Sequence, residues 1–362
     1  MDTNMMMPPP SALSRDTWDP EQDDTLVCID VHQETYDVKS FTFASPQSKR
    51  FAFQAGQYFL FDFPLGADVE PRCYSISSSP QRPNAFTVTV KRVPDGRVSN
   101  WLHDNLKSGA TVKAQGPLGH FIRPSGRGKK LLLSGGSGIT PVMSIVRDLA
   151  DTFDPTDVVF IHAARTPLDL IFRDELSTLT TKMKGLRLHF LPEHLTGERW
   201  WPGITGRITA EYIKMAVPDI AERIVMCCGP APFMAAARKI SSDLGVPRSN
   251  YIEESFDAAV LDESELPIGE APVVAKTFQV QFLKQARTIE IASEQTVLGC
   301  AKKAGLRLPS SCANGVCGTC KSKLVSGSVE MKHNGGIRQR EVDAGLFLPC
   351  CSKPLSDLVI ER

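Results

Sequence analysis

Four cysteines near the C-terminus, Cys312, Cys317, Cys320 and Cys350, constrain this chain more than anything else in its sequence. Three stand as C-x4-C-x2-C, and the fourth follows thirty residues later. That spacing holds a [2Fe-2S] cluster on four thiolates. The run SSCANGVCGTCKSKLVSG places Gly315 and Gly318 between ligands, where small residues let the backbone curl over sulfide and direct N–H groups at it. Zinc sites usually pair two short C-x2-C knuckles or add histidines, so a lone C-x2-C preceded by a Cys favours iron and sulfide. Disulfides are disfavoured because no secretory segment accompanies the cysteines. Cys351 adjoins Cys350, and spacing alone leaves either as the fourth ligand. Among the others, Cys28, Cys73 and Cys300 lie in strand-like or helical patterns and are expected to pack as small hydrophobes.

A cluster loop and its support occupy only the end of a 362-residue chain, so two to three domains are expected. The 41 basic and 41 acidic residues cancel, which removes any bulk electrostatic case for nucleic acid or an anionic membrane. The chain begins without a basic stretch leading into an apolar one, and no run approaches the roughly 18 apolar residues of a membrane span. A cytoplasmic protein is expected.

Residues 1–22 are rich in Met, Pro and Asp and read as a mobile or loosely docked tail. Residues 23–125 show short alternating runs, such as LVCIDVHQET, QYFLFDF and AFTVTVKRV, divided by turn residues. They predict an antiparallel β-barrel. Across 126–258, strand-like LLLS, DVVFIHAA, RLHFL and RIVMCCG alternate with helical stretches, the pattern of an α/β parallel sheet. The acidic, Pro-containing stretch 259–275 is the linker candidate. Residues 276–362 read as a hairpin, a short helix, the cysteine loop and a final strand.

Four glycine- or hydroxyl-bearing motifs carry candidate chemistry. Arg72-Cys73-Tyr74-Ser75 offers a fork for pyrophosphate, an aromatic face for a flavin ring and a hydroxyl for its edge. Downstream, Lys91 precedes Gly96, Val98 and Ser99 at a helix start, where free N–H groups bind phosphate. Gly135, Gly136 and Gly138, with Thr140 and Pro141, form a strand-to-helix turn that lets a backbone approach a dinucleotide. Cys228-Gly229-Pro230 ends a later strand on the same sheet edge. Taken singly, each motif is as well explained by a surface Arg, an N-cap or a tight turn.

Taken in order, RCYS, VKR, GPLGHF, GGSGITP, CCGP and EESF, followed by the cysteine loop, resemble the ferredoxin-NADP reductase superfamily fused to a plant-type ferredoxin, over about residues 25 to 362. The resemblance implies a β-grasp fold for the last domain, and FAD, a nicotinamide dinucleotide and a [2Fe-2S] cluster as cofactors. It implies that Arg72 contacts pyrophosphate, Tyr74 stacks on the flavin, Ser75 approaches N5, and Lys91, Gly96, Val98 and Ser99 line the phosphate side. Thr140 and Cys228 would lie near the nicotinamide and Phe256 near the opposite ring face. It aligns Cys350 of LPCCSKP with the fourth ligand. Arg165 after IHAA could reach an adenosine phosphate, or be a solvated strand-end Arg; NADH is favoured over NADPH.

Nicotinamide gives two electrons as hydride while the cluster takes one, so a flavin between them is required. No Rieske or haem ligand set is recognisable in the chain, which places the terminal chemistry on another protein. The domain order and LPCCSKP ending resemble reductase components of bacterial Rieske-type monooxygenases, particularly those for glycine betaine and related quaternary amines. A reductase of the hybrid-cluster protein shares the layout. A redox sensor with inactive nucleotide domains is the reading from a different class, and RCYS, GGSGITP and CGP together count against it.

Overall fold

The computed structural model describes residues 17–20, 22–66, 68–126, 128–198, 200–256, 276–306, 308, 315, 318, 320–333 and 336–361. They form two compact units: the barrel and parallel sheet up to Ser255, and the C-terminal sheet with the short stretch Glu70–Arg72. The expected linker 259–275 lies outside the described residues.

Six antiparallel strands build the first sheet: β1 (Thr25–Thr35), β2 (Val38–Ala44), β3 (Tyr58–Leu65), β4 (Asp68–Ser75), β5 (Phe86–Lys91) and β6 (Thr111–Leu118). Their order is β4-β3-β6-β1-β2-β5, and the bridge between Ile76 and Val88 joins the two ends into a barrel. Closure removes exposed edges. Alternation along β3 sends Phe59, Phe61 and Phe63 inward, where Phe59 stacks on Phe86 with ring centroids 4.2 Å apart. Burying each such ring contributes about 1.5–3 kcal/mol.

Trp18 lies within the stretch read as a mobile or loosely docked tail. Trp18 is only 4% exposed within the barrel core, and its indole N–H donates to the Gly116 carbonyl at 2.8 Å. Its aromatic bulk packs there although the composition around it is polar.

The second sheet holds β7 (Lys130–Gly135), β8 (Val158–Ala164), β9 (Leu186–Pro192), β10 (Ile224–Cys228) and β11 (Tyr251–Glu254), all parallel, in the order β11-β10-β7-β8-β9. The continuous apolar run of β7 is buried throughout, as a strand covered on both faces requires. The chain runs outward from β7 through β8 and β9, then returns to β10 on the other side. The strand order therefore reverses between β7 and β10, where open α/β sheets bind ligands beyond their carboxyl ends.

Barrel and parallel sheet meet through polar contacts. From the helix Ile139–Asp151, Arg147 donates to the Ser77 carbonyl at 2.7 Å and Ser144 to the Ser78 carbonyl at 2.7 Å. Gln81 reaches Asp148 at 2.8 Å, and Arg123 pairs with Asp148 and Asp154, each at 2.9 Å. The helix that follows the Gly135 turn is thus fastened to the segment that follows Ser75.

In the C-terminal unit, β12 (Thr277–Phe282) and β13 (Arg287–Ala292) form a hairpin; β14 (Ser322–Ser326), β15 (Val329–Met331), β16 (Leu346–Phe347), β17 (Ser352–Pro354) and β18 (Leu358–Glu361) follow. The main sheet runs β13-β12-β18-β14-β16, with β18 parallel to β12, and β15 pairs with β17 alone. The helix Val297–Lys303 packs across the sheet, started by Thr296, whose hydroxyl accepts the Gly299 N–H at 3.3 Å. A mixed sheet gripping one helix is the expected β-grasp.

Candidate functional site

Two glycine turns interlock at the point where the strand order reverses. A Cβ on Gly138 would stand 2.3 Å from the Cys228 carbonyl oxygen, and one on Gly229 3.0 Å from the Gly135 nitrogen. Backbone packs on backbone here, so only glycine fits. Gly136 has a φ of +53° and open space where a Cβ would lie. The loop therefore grips the sheet with Gly138 and leaves room for a ligand at Gly136. Thr140 and Pro141 are buried in the first turn of the following helix, Thr140 donating to the Ser137 carbonyl at 3.1 Å. Pro230 opens the helix Ala231–Asp243 at the other turn.

The helix starts differ in a way that matters for anions. The helices Arg97–Asn105, Ile139–Asp151 and Ala231–Asp243 have neither a side-chain cap nor an acid in the first turn. Every other α-helix among the described residues has one or the other: Asp174 and Glu175, Thr209 with Glu211, Thr296, and Glu341. The three bare starts follow Gly96, Gly138 and Pro230, each within a motif singled out for phosphate or dinucleotide. The positive end of a helix that carries neither a side-chain cap nor an acid fits the negative charge of a flavin or nicotinamide pyrophosphate.

Across the carboxyl edge, strand register aligns Glu254, Cys228, Ser134 and His162 in one row. Ser75, at the end of β4 and 5% exposed, donates to Glu254 at 3.4 Å. The hydroxyl expected beside the flavin and the strand end expected beside the nicotinamide thus meet. Burial pushes the Glu254 carboxyl up to about 8, with the Ser75 hydrogen bond opposing it. Burial likewise holds the His162 imidazole down to about 4, so it stays neutral, bonded through Nδ1 to Ser134 at 2.8 Å. Cys228 has no exposed surface, and burial raises its thiol well above the ordinary range. It is a neutral, polarizable wall at the end of β10.

Glu254 carries a pH signature. Its folded value exceeds the ordinary 4.5, so the native state keeps a proton that the unfolded chain releases between about pH 4.5 and 8. Stability is greatest below that window and falls as pH rises through it. Glu254→Gln should remove this slope, raising the melting temperature over the parent at pH 8 while giving no gain at pH 4.5. Equal shifts at both pH values would refute the assignment.

The remaining expected residues are placed as follows. Tyr74 packs edge-on against Phe63, centroids 6.0 Å apart. Ser99 is buried, and its hydroxyl accepts the Val93 N–H at 3.1 Å, closing the turn before its helix, whose first turn also buries Val98. Lys91 pairs with Asp37 at 2.7 Å and faces Asp169 at 3.6 Å. Arg165 binds the same Asp169 at 3.0 Å, so both expected phosphate ligands sit in an acidic network. Arg72 pairs with Glu70 at 3.1 Å, and Phe256 is half exposed; both belong to the C-terminal unit. Sequence reasoning passed over Glu254, although EESF was in view, because one acid in a polar tetrapeptide gives no sign of burial. His162 and Asp169 gave no signal at all.

In the C-terminal unit Cys312 and Cys317 lie outside the described residues. The Cys350 thiol is hydrogen-bonded to Cys320 and Cys351, and both Cys320 and Cys350 are buried in the domain core. Gly315 and Gly318 adopt φ of +75° and +66°, which side chains rarely tolerate. A Cβ on Gly315 would fall 2.7 Å from the Cys351 sulfur. Two adjacent buried thiols under a glycine-curled loop fit iron and sulfide.

No helix among the described residues is long and apolar enough to cross a membrane. Residues 26–122 match the oxidoreductase FAD-binding domain family, 132–239 the oxidoreductase NAD-binding domain family and 281–355 the 2Fe-2S iron-sulfur cluster binding domain family. The chain is 41% identical, over 92% of its length and 94% of the relative's, to the glycine betaine monooxygenase reductase subunit of Chromohalobacter salexigens. It is 37% identical to a stachydrine N-demethylase reductase subunit of Rhizobium meliloti, covering 93% of this chain and 96% of that one. Phthalate dioxygenase reductase, a modular structure for electron transfer from pyridine nucleotides to [2Fe-2S], superposes over 95% of this chain and all of its own with a TM-score of 0.58 at 25% identity. With its barrel, parallel sheet and β-grasp domain in the same order, the chain belongs to the family of oxygenase reductase subunits, electron-transfer oxidoreductases with FAD-binding, NAD-binding and 2Fe-2S domains.

Proposed function

We propose that this cytoplasmic protein takes hydride from NADH onto FAD and delivers the electrons singly, through its [2Fe-2S] centre, to a separate Rieske-type oxygenase acting on glycine betaine or a related quaternary amine. The observation that carries the substrate is the 41% identity to a glycine betaine monooxygenase reductase subunit along nearly the whole chain. We divide the chain as 23–125 for flavin, 126–258 for nicotinamide and 276–362 for the cluster.

A bound flavin supplies the ability to accept a pair of electrons and release them one at a time. The chain's own residues position it. Ser75 and Tyr74 set the ring edge and face, Arg72 and the amides at Val98 and Ser99 hold phosphate, and Gly136 and Pro230 admit the dinucleotide. Thr140, Cys228 and Phe256 frame the nicotinamide. Near-contact geometry of this kind is the main lever on hydride transfer. Asp169 and Asp37 around Arg165 support NADH over NADPH, because a 2′-phosphate would meet carboxylates.

The test combines the purified protein with NADH, oxygen and either a glycine betaine oxygenase component or a hybrid-cluster protein. Betaine-dependent consumption of NADH and oxygen with the first, and none with the second, is expected. The kcat/KM for NADH should exceed that for NADPH by at least about tenfold, the discrimination that roughly 1.4 kcal/mol gives. Electron transfer to the hybrid-cluster protein alone would overturn the oxygenase reading.

A further inference from the structure

The neutral overall charge conceals a strong division. Residues 276–362 carry thirteen lysines and arginines against seven aspartates and glutamates, a net of +6. Residues 259–275 hold four acids and no base, and residues 1–258 hold 28 bases and 30 acids. A cluster of two ferric ions, two sulfides and four thiolates is a dianion, so the loaded domain remains cationic.

Much of the acid in this domain is answered internally. Glu294, Glu330, Glu341 and Glu361 pair with Lys353, Lys332, Lys321 and Lys284. Exposed lysines stand near the ligand turn, Lys332 of the Glu330 pair among them. The Lys332 N–H donates to the Cys351 carbonyl at 3.0 Å, which puts this residue, its side chain 80% exposed, next to Cys350. His333 follows, exposed, its Cα 2.9 Å from where a Cβ on Gly315 would stand. The helix Val297–Lys303 also packs against Pro349–Cys351 and ends in Lys302 and Lys303, both exposed.

We propose that the face bearing Lys302, Lys303 and Lys332 is the docking surface for the external electron acceptor, and that this acceptor is a protein with an acidic surface around its own redox centre. The proposal rests on the reading of this domain as the electron exit. Electrons leave a cluster where a partner approaches it most closely, and the groups flanking the ligand turn are cationic. Complementary charge steers encounter, raises association rates and loses its effect as salt rises.

The test uses the oxidised holoprotein with two haem probes of opposite charge, acidic cytochrome b5 and basic cytochrome c, titrated calorimetrically without reductant. Cytochrome b5 should bind, with affinity falling about tenfold or more between roughly 0.02 M and 0.2 M salt, and cytochrome c should not. The triple charge reversal Lys302→Glu, Lys303→Glu and Lys332→Glu should weaken b5 binding by a similar factor. In turnover, each NADH oxidised to NAD+ should reduce two ferric cytochromes b5 to ferrous. The triple variant should slow this step while leaving ferricyanide reduction at the flavin unchanged.

Indifference of b5 binding to salt and to the reversals would overturn the proposal. So would binding that strengthens with salt, which would mean that the basic face is engaged within the chain. Failure of NADH to bleach flavin and cluster would instead refute the reductase reading itself.

Discussion

Cys350→Ser protein should reduce ferricyanide with NADH as well as the parent does, yet reduce cytochrome b5 at least about 100-fold more slowly, beyond the usual cost of losing a supporting contact around a metal. Its visible spectrum should retain flavin bands and lose the cluster's broad absorption. The reason lies in how the ligands are held. Cys320 and Cys350 come from distant parts of the chain, yet their thiols meet in a buried position. A hydroxyl at Cys350 cannot replace a thiolate on iron without loss. Cys351→Ser is the informative partner. Its sulfur also bonds the Leu348 carbonyl, at 3.6 Å, and lies beside Gly315, so the change should soften the loop and leave the cluster in place. A cluster surviving in Cys350→Ser and lost in Cys351→Ser would reverse the assignment.

Gly138→Ala should be the most damaging single methyl in the dinucleotide domain. The added carbon would stand 2.3 Å from the Cys228 carbonyl oxygen and 2.4 Å from its carbon, with no flexible side chain to yield. Either β10 and its turn shift or the helix Ile139–Asp151 backs away, and both movements separate Ser75 from Glu254. We expect about 3 kcal/mol or more of destabilisation, the upper end for overpacking, together with near-complete loss of flavin reduction by NADH. Gly136→Ala provides the contrast. Its methyl meets nothing within 4 Å, so only the φ of +53° opposes it, at about 1–2 kcal/mol. That variant should fold and retain its flavin while binding NADH more weakly. Chemical denaturation and rapid-mixing flavin reduction would separate the two, and equal effects from both would refute the division of roles between gripping and admitting glycines.

Much of the architecture was legible because its signals are local and periodic. Alternation in QYFLFDF, the unbroken apolar run LLLS and the glycine turns each follow from short-range rules, and so do the three sheets. The four-residue strand Tyr251–Glu254 was visible only as part of EESF, since so few residues display no period. Trp18 was assigned to the tail because neither Pro nor Asp around it announces a distant carbonyl such as that of Gly116. The site was legible where backbone shape dictates residue type, as at Gly138. It was hidden where function depends on which charge meets which. The resemblance implied a phosphate-side Lys91, and Arg165 read as an adenosine-phosphate ligand or a solvated strand-end Arg; only the fold brings Asp37 and Asp169 to them. The raised Glu254 carboxyl is likewise a product of burial between two domains, which no stretch of sequence contains.

The three helices that begin without caps have a consequence for the life of the protein before it does any chemistry. On the proposed sites each start would meet a cofactor phosphate, so flavin and dinucleotide would complete the fold as well as the reaction site. A ligand that binds only the folded chain raises its stability in proportion to the logarithm of ligand concentration. Newly made chains in a flavin-starved cell would therefore spend more time open to proteolysis. The amount of reductase would follow the supply of vitamin, without any dedicated regulator, because the same N–H groups that orient the cofactor also secure the chain.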